Sequence, residues 1–202
     1  MKKKEIKVNL GCGVHLFKDW INVDKFINLK DLKEKKGIYE KAIIEKGAEF
    51  VKADICDLPF KDNFANKVEC IETIEHIPFN KILKAFAEIR RILKPGGRVL
   101  ITTVNFDEIA KLWVEHIISQ PLDWRNWMVL LGGIYGNQLT EGEFHACPFN
   151  PEFMKWCLDQ TGFKSYEIII HPSGSRYPEL WSRPLSKKLN CMIEMIVVRA
   201  RK

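Results

Sequence analysis

The sequence has no apolar run long enough to span a membrane, and its first residues, MKKKEIKVNL, lack the apolar core of a signal peptide. Its six cysteines include no Cys-x-x-Cys pair and no metal-finger spacing. We therefore expect reduced thiols, which act as small apolar side chains where they are buried. Together these absences predict a cytoplasmic protein that has no membrane anchor.

An excess of basic charge is also missing from the body of the chain. Six of the 32 basic residues lie among the first four and last four positions, and the basic residues that remain match the 26 acidic residues in number. Enzymes that act on nucleic acids more often carry clustered Lys and Arg on one face. The charge therefore disfavours a DNA or RNA partner, although Arg176, Arg183, Lys187 and Lys188 form a smaller basic group.

Short β-branched runs alternate with longer helical patterns, which is typical of βαβ units around a parallel sheet. Seven strands are predicted, at Ile6–Leu10, Ile21–Asp24, Phe50–Ala53, Val68–Ile71, Arg98–Val104, Tyr166–His171 and Ile193–Arg199. The clearest predicted helices are Phe79–Lys94, Asp107–Ser119 and Pro151–Gln160. A chain of 202 residues suits one domain, so we expect a single domain over 1–202, with an irregular insertion at 120–148.

The first predicted strand runs into Gly11-Cys12-Gly13, at the edge of the sheet where open α/β folds bind ligands. Alone, this turn is equally consistent with a tight strand exit. A dinucleotide fingerprint would need a third glycine where Leu16 stands, and an acidic residue about 20 positions further on. Instead Asp24 ends the second strand close to the turn, where its carboxylate can accept the hydroxyls of a ribose.

Five motifs then follow in order: LGCG, INVD, a D-x-x-x-LPF loop, an I-E-H helix start and LKPGG. Together they resemble the class I S-adenosylmethionine-dependent methyltransferases, in particular the small methyltransferase-domain group, over about Val8–Asn105. The resemblance implies an α/β, Rossmann-like, seven-stranded and mostly parallel sheet with an antiparallel last strand and helices on both faces. The first helix must be shortened or absent, because Asp24 follows so soon. The missing length reappears as Lys25–Glu49, whose Lys-rich part predicts a solvated helix, and the insertion follows the fifth strand.

The resemblance also implies S-adenosylmethionine as cofactor and S-adenosylhomocysteine as product. The glycine turn would contact the methionine part, the first acidic residue the ribose, and the second acidic residue the adenine. Glu75 and His76 match the family's E-H pair, either as helix-capping residues or as members of the site. The implied cofactor-binding residues are Gly11, Cys12, Gly13, Asp24, Asp54, Ile55 and Ile71.

Candidate catalytic residues lie in the insertion, in YGNQLTEGEFHACPF. His145 has the pKa of a general base, and its alternative role is a hydrogen bond within the insertion. Tyr135 is either a second catalytic candidate or a wall residue. No Asp and His cluster indicates a metal site, so none is expected. We predict a small-molecule or sugar-type acceptor; the alternative is a non-catalytic S-adenosylmethionine-binding sensor or subunit.

Overall fold

Seven strands form the main sheet in the computed structural model of the protein, which describes residues 5–35, 37–40, 42–119, 124–173 and 193–202. The strands are β1 (Lys7–Leu10), β2 (His15–Leu16), β3 (Ile21–Asp24), β4 (Ile43–Ile44), β5 (Glu49–Lys52), β6 (Ala65–Ile71), β7 (Leu93–Val104), β8 (Ser165–His171) and β9 (Met195–Arg201). Their order in the main sheet is β5-β3-β1-β6-β7-β9-β8, and β2 pairs with β4 separately. All seven predicted strands are therefore confirmed.

The strand directions also agree with the predicted fold. Strands β5, β3, β1, β6 and β7 are mutually parallel, with Val8 of β1 opposite Ile21 of β3 and Val68 of β6. Strand β9 runs antiparallel to both of its neighbours, β7 and β8. The sheet is thus mostly parallel with an antiparallel last strand, as in Rossmann-like folds.

Five helices connect these strands in the described part of the chain: α1 (Leu29–Glu34), α2 (Ile82–Ile92), α3 (Phe106–Ser119), α4 (Trp124–Tyr135) and α5 (Pro151–Gln160). Helix α5 begins as predicted, because the Asn150 side chain accepts the Phe153 N–H at 2.8 Å and Pro151 has no backbone N–H that would need an acceptor. Helix α2 is shorter than predicted: Phe79 lies in a preceding 3-10 turn, 74% exposed. None of these helices has both the length and the apolar character that a membrane crossing needs.

The predicted irregular stretch at 120–148 contains a regular element, α4, so that part of the prediction was wrong. Its proline, glycine and aromatic residues suggested irregular structure, but Gly133 lies inside the helix where α4 packs on α3. A Cβ added there would come within 2.9 Å of the Ile109 side chain and 2.8 Å of the Ile193 side chain. Glycine therefore permits a close helix contact here rather than a turn.

The predicted shortening of the first helix is confirmed. Residues 11–20 form a turn and β2 instead of a helix, and the predicted Lys-rich helix appears as α1. These segments bury a small second cluster, which includes Leu16, Leu32 and Tyr39 and packs on Phe50 of β5. The neighbouring Val51 contacts the main core instead, so α1 lies on the opposite face of the sheet from α2 and α5.

The main core lies between the sheet and helices α2 and α5. Val99 and Ile101 of β7 face these helices, whereas Leu100 between them belongs to a separate cluster on the other face. Fully buried side chains such as Phe86 and Phe149 fill the space between helices and sheet. This core fixes the carboxyl ends of the strands relative to one another, and the candidate site is built on those ends.

A network of hydrogen bonds around Arg91 holds the loop after β5 against α2. Arg91 donates hydrogen bonds to the backbone carbonyls of Leu58 (3.0 Å) and Phe60 (2.7 Å), and to the carboxylates of Glu88 and Asp62. Glu88 in turn accepts the Leu58 N–H at 2.9 Å. The planar guanidinium has five N–H donors in a fixed fork, whereas a lysine ammonium has three donors on one atom and cannot reach all of these acceptors.

We predict that Arg91→Lys lowers the free energy of unfolding by about 1–3 kcal/mol, because several charge-assisted hydrogen bonds are lost while the charge is kept. Denaturant unfolding measures the effect. The matched control is Arg199→Lys, on the exposed side of β9, where Arg199 lies 3.6 Å from Glu167. Equal unfolding free energies for the two variants would contradict the structural role of Arg91.

Candidate active site

A pocket of about 360 Å³ opens at the carboxyl ends of β1, β3 and β6. The chain passes from β1 to β3 on one side and later returns to β6 on the other, so the pocket lies at the switch point where open α/β sheets bind ligands. Its volume is within the usual range for small-molecule sites. The lining includes every residue predicted to bind the cofactor: Gly11, Cys12, Gly13, Asp24, Asp54, Ile55 and Ile71.

The floor of the pocket is the glycine turn after β1. Gly11 and Gly13 have φ of 62° and 51°, in the left-handed region that favours glycine. A Cβ at Gly11 would overlap the Thr73 side chain, whereas a Cβ at Gly13 would meet no atom within 4 Å. Thr73 is held in turn by a 2.8 Å hydrogen bond from its hydroxyl to the Ile71 carbonyl. Residue 11 must therefore be glycine for two reasons, and residue 13 for one.

Asp24 has a structural role that the sequence did not indicate. One carboxylate oxygen accepts the Gly13 N–H at 3.0 Å, and the other accepts the N–H groups of Phe26 (2.8 Å) and Ile27 (3.2 Å). A carboxylate has about four acceptor positions, so about one is left for a ligand. Asp24 thus joins the glycine turn to the loop after β3 and still lines the pocket.

The second predicted acid, Asp54, is paired with a cation. Its Oδ2 lies 3.0 Å from the Lys25 ammonium, and its Oδ1 accepts the Cys56 N–H at 2.9 Å. Partial burial opposes ionisation, but the Cys56 N–H and the Lys25 charge together lower the pKa of Asp54 below its usual value. Lys25 also lies over the Phe26 ring, 5.3 Å from its centre, and both residues line the pocket.

Part of the insertion forms the opposite wall. Thr140, Gly142 and Glu143 line the pocket, and a Cβ at Gly142 would come within 2.7 Å of the Phe26 ring. The sequence did not single these residues out, because only the folded chain brings the insertion onto the loop after β3. The position of Lys25 and Phe26 directly after Asp24, at a strand end, was a weak indication in the sequence that they lie at the site.

The two predicted catalytic residues lie outside this lining. Tyr135 is 53% exposed, and its backbone carbonyl accepts the His145 N–H at 3.1 Å. His145 instead lies behind His76, which does line the pocket; their ring centres are 4.9 Å apart. Hydrogen bonds fix both rings: Nδ1 of His76 bonds the Phe144 carbonyl at 3.0 Å and Nδ1 of His145 bonds the Gly133 carbonyl at 2.9 Å.

Burial sets the protonation of Glu75, His76 and His145. It raises the pKa of the Glu75 carboxyl to about 8, and the negative charge of Glu72 acts in the same direction. Burial also lowers the pKa values of His76 and His145 below the usual imidazole range, against the effect of their carbonyl partners. Both rings are therefore neutral at pH 7, and Glu75 takes up a proton at or below that pH unless a cation is near.

Most of the pocket lies in the part of the chain that is similar to known proteins. Residues 8–101 match the model of a methyltransferase-domain family. The match covers 94 of the 202 residues and includes the glycine turn, Asp24 and Asp54. An uncharacterized protein of Methanocaldococcus jannaschii is 38% identical over 135 residues, which cover 63% of this chain and 55% of that protein. The ubiquinone/menaquinone biosynthesis C-methyltransferase UbiE of Bordetella avium is 32% identical over 79 residues, or 38% of this chain and 27% of that enzyme.

The solved structures agree with this assignment at the level of fold. An S-adenosylmethionine-dependent methyltransferase of Methanosarcina mazei has a TM-score of 0.61 at 15% identity, covering all of this chain and 94% of that chain. One from Archaeoglobus fulgidus has a TM-score of 0.58 at 15% identity, covering all of this chain and 87% of that one. The chain spans about half or less of the length of the curated relatives it matches first.

Both of these solved structures are described as S-adenosylmethionine-dependent methyltransferases, so S-adenosylmethionine is the ligand to compare with the pocket. The residues that line the pocket fit S-adenosylmethionine. The backbone at Gly13 faces open space, Asp24 keeps an acceptor position for a hydroxyl, and Asp54 supplies a second carboxylate. Leu16, where a dinucleotide fingerprint would need glycine, is buried in β2 and packs in the second cluster.

The two glycines of the turn give a matched pair of variants. We predict that Gly13→Ala lowers the free energy of unfolding by about 1–2 kcal/mol, from backbone strain alone. Gly11→Ala adds overlap with Thr73, which typically costs about 1–3 kcal/mol more. Thermal and denaturant unfolding measure both, and Thr73→Ala added to Gly11→Ala should recover part of the loss. Equal losses for the two single variants would show that Thr73 does not constrain residue 11.

Proposed function

We propose that the protein transfers a methyl group from S-adenosylmethionine to a small-molecule acceptor. The observation that carries the proposal is the single pocket lining that joins the glycine turn, Asp24, Asp54 and Ile71 at the switch point of the sheet. These residues come from four different strand ends, and a ligand of the cofactor's size would contact all of them.

Different lining residues would hold different parts of the cofactor. We assign the methionine part to the glycine turn, the ribose to the free acceptor position of Asp24, and the sulfonium end to Ile71. Asp54 and the Ile55 N–H would hold the adenine, with Asp54 shared between the base and Lys25. When bound, the cofactor supplies an already activated methyl group, so the protein needs chiefly to align the acceptor and exclude water.

Charge and size support a small acceptor. Glu72 and Glu143 line the pocket, and carboxylates at this position repel the phosphates of a nucleic acid. The cation in the described lining is Lys25, which is paired with Asp54. A sugar or other neutral metabolite meets no such repulsion. A tRNA (carboxymethyluridine(34)-5-O)-methyltransferase of Arabidopsis thaliana is 39% identical, but over only 59 residues and 15% of that enzyme.

The acceptor side of the proposal differs from the sequence prediction in one respect. His145 and Tyr135 lie outside the lining, so their catalytic roles stay predictions. His76 is the imidazole that lines the pocket, and His145 contacts it from behind. An acceptor in the pocket would therefore contact His76 and not His145.

Transfer to a small molecule is tested with methyl-labelled S-adenosylmethionine and a cell extract that has been separated by size. We expect label in the small-molecule fraction and none above background in purified RNA or protein. The reason is that the acidic pocket admits a metabolite but repels a polyanion. Label in RNA or protein would overturn the acceptor class. Tight cofactor binding without labelling of any fraction would contradict catalysis and favour the non-catalytic alternative.

Asp24→Asn keeps the shape of the residue but removes its charge. We predict at least a tenfold loss of S-adenosylmethionine affinity by calorimetry, because a charge-assisted hydrogen bond is worth about 1.5–3 kcal/mol. Stability should fall as well, since the amide accepts fewer of the three backbone N–H groups. Binding is therefore measured well below the melting temperature.

The matched control is Asp57→Asn, an exposed acid outside the lining, which should bind as the unaltered protein does. NADH serves as the negative ligand. Unchanged S-adenosylmethionine affinity in a folded Asp24→Asn protein would show that the ribose lies elsewhere.

A further inference from the structure

We propose that Glu75, His76 and His145 bind one divalent transition-metal ion at the wall of the pocket. Each residue offers one ligand atom, and the three atoms all lie within 4.8 Å of one another. His76 follows Glu75 in the 3-10 turn after β6, whereas His145 comes from the insertion. The chain positions are far apart, so a local sequence pattern does not reveal the group.

The hydrogen bonds of the two rings leave the correct atoms free for a metal. A backbone carbonyl only accepts hydrogen bonds, so Nδ1 of His76 and Nδ1 of His145 must each carry the proton. In the neutral rings Nε2 then carries a lone pair, and the backbone carbonyl of Glu72 also lies near the His76 ring. Metal-binding histidines almost always have this arrangement, in which the second nitrogen donates to a carbonyl or carboxylate and fixes the ring.

Glu75 provides the independent sign that something is bound here. The residue is 2% exposed, and neither its Oε2 nor the Thr103 hydroxyl, which lowers the pKa of Glu75 slightly, has a hydrogen bond of normal geometry among the described residues. A buried carboxylate oxygen without a partner is costly, and native proteins satisfy such groups with a donor, a water or an ion. A cation between the two imidazoles and this oxygen would satisfy it.

The backbone holds the three ligands in one frame. The Glu75 carbonyl accepts the N–H groups of Ala146 (2.7 Å) and Cys147 (3.1 Å), the two residues that follow His145. The insertion is thus fixed directly to the turn that carries Glu75 and His76. Preorganised ligands of this kind favour a bound ion over loose surface coordination.

The ligand set and spacing indicate the class of ion. Two imidazoles and one carboxylate suit Zn²⁺, Fe²⁺ or Co²⁺ and leave open coordination positions, whereas Mg²⁺ prefers oxygen ligands. In a tetrahedral site with bonds of about 2.0–2.1 Å, two ligand atoms lie about 3.4 Å apart, so the side chains need to close by up to about 1.4 Å. Because His76 lines the pocket, the ion could also hold an acceptor atom. That role rests on the proposed function, whereas binding of the ion does not.

Calorimetry with Zn²⁺ tests the site on tag-free, chelator-treated protein without S-adenosylmethionine. We expect one ion per chain, and at least a tenfold weaker affinity in each of Glu75→Gln, His76→Gln and His145→Gln. The matched control is His15→Gln, a pocket histidine outside the group, which should bind Zn²⁺ unchanged. Equal affinity in the control and in the three ligand variants would overturn the proposal, and cofactor binding is measured separately.

Two further readouts do not depend on how well the histidine variants fold. Co²⁺ bound to the unaltered protein should give an absorption spectrum of nitrogen and oxygen ligands; a thiolate charge-transfer band would point to Cys147 and overturn the assignment. Glu75→Gln keeps the size of the side chain but removes the carboxylate that would bind a cation, so without metal it should be about as stable as the unaltered protein. Zn²⁺ should raise the melting temperature of the unaltered protein only, and an equal rise in Glu75→Gln would also overturn the proposal.

Discussion

Thr73 occupies the space that a side chain on residue 11 would fill, and this close approach brings the end of β6 onto the end of β1. The pocket exists because these two neighbouring strands diverge into separate loops directly above that contact. Asp24 then fastens the glycine turn to the loop after β3 through three backbone N–H groups. A single packing constraint and one carboxylate therefore set the position of most groups that a cofactor would touch.

The absence of a long helix after β1 changes what surrounds the site. A short strand pair and α1 bury their own cluster, which takes the place of the missing helix against the sheet. The loop that follows Asp24 is consequently free to turn over the pocket, where Lys25 pairs with Asp54 and Phe26 meets the insertion. The substitution of a loop for a helix thus supplies side chains to the ligand site.

The insertion is joined to the same site through the backbone of Glu75. Its carbonyl accepts two N–H groups from the segment after His145, and the His76 ring bonds the carbonyl of Phe144. These hydrogen bonds stabilise the pair of His76 and His145, of which His76 lines the pocket. They also explain how Glu75 is kept buried although its Oε2 has no partner among the described residues.

Local features of the sequence determined the seven strands and the start of α5, because hydrophobic period and capping residues act within a few residues. The seven cofactor-binding candidates came instead from the resemblance of five ordered motifs to a known family. The same signals failed at α4, where Gly133 serves a helix contact with Ile109 that only the folded chain creates. Tertiary structure alone decided that Asp24 holds the turn, that Lys25 meets Asp54, and that His145 lies behind His76. These contacts join residues from separate loops, and no short-range pattern records which loops a sheet will bring together.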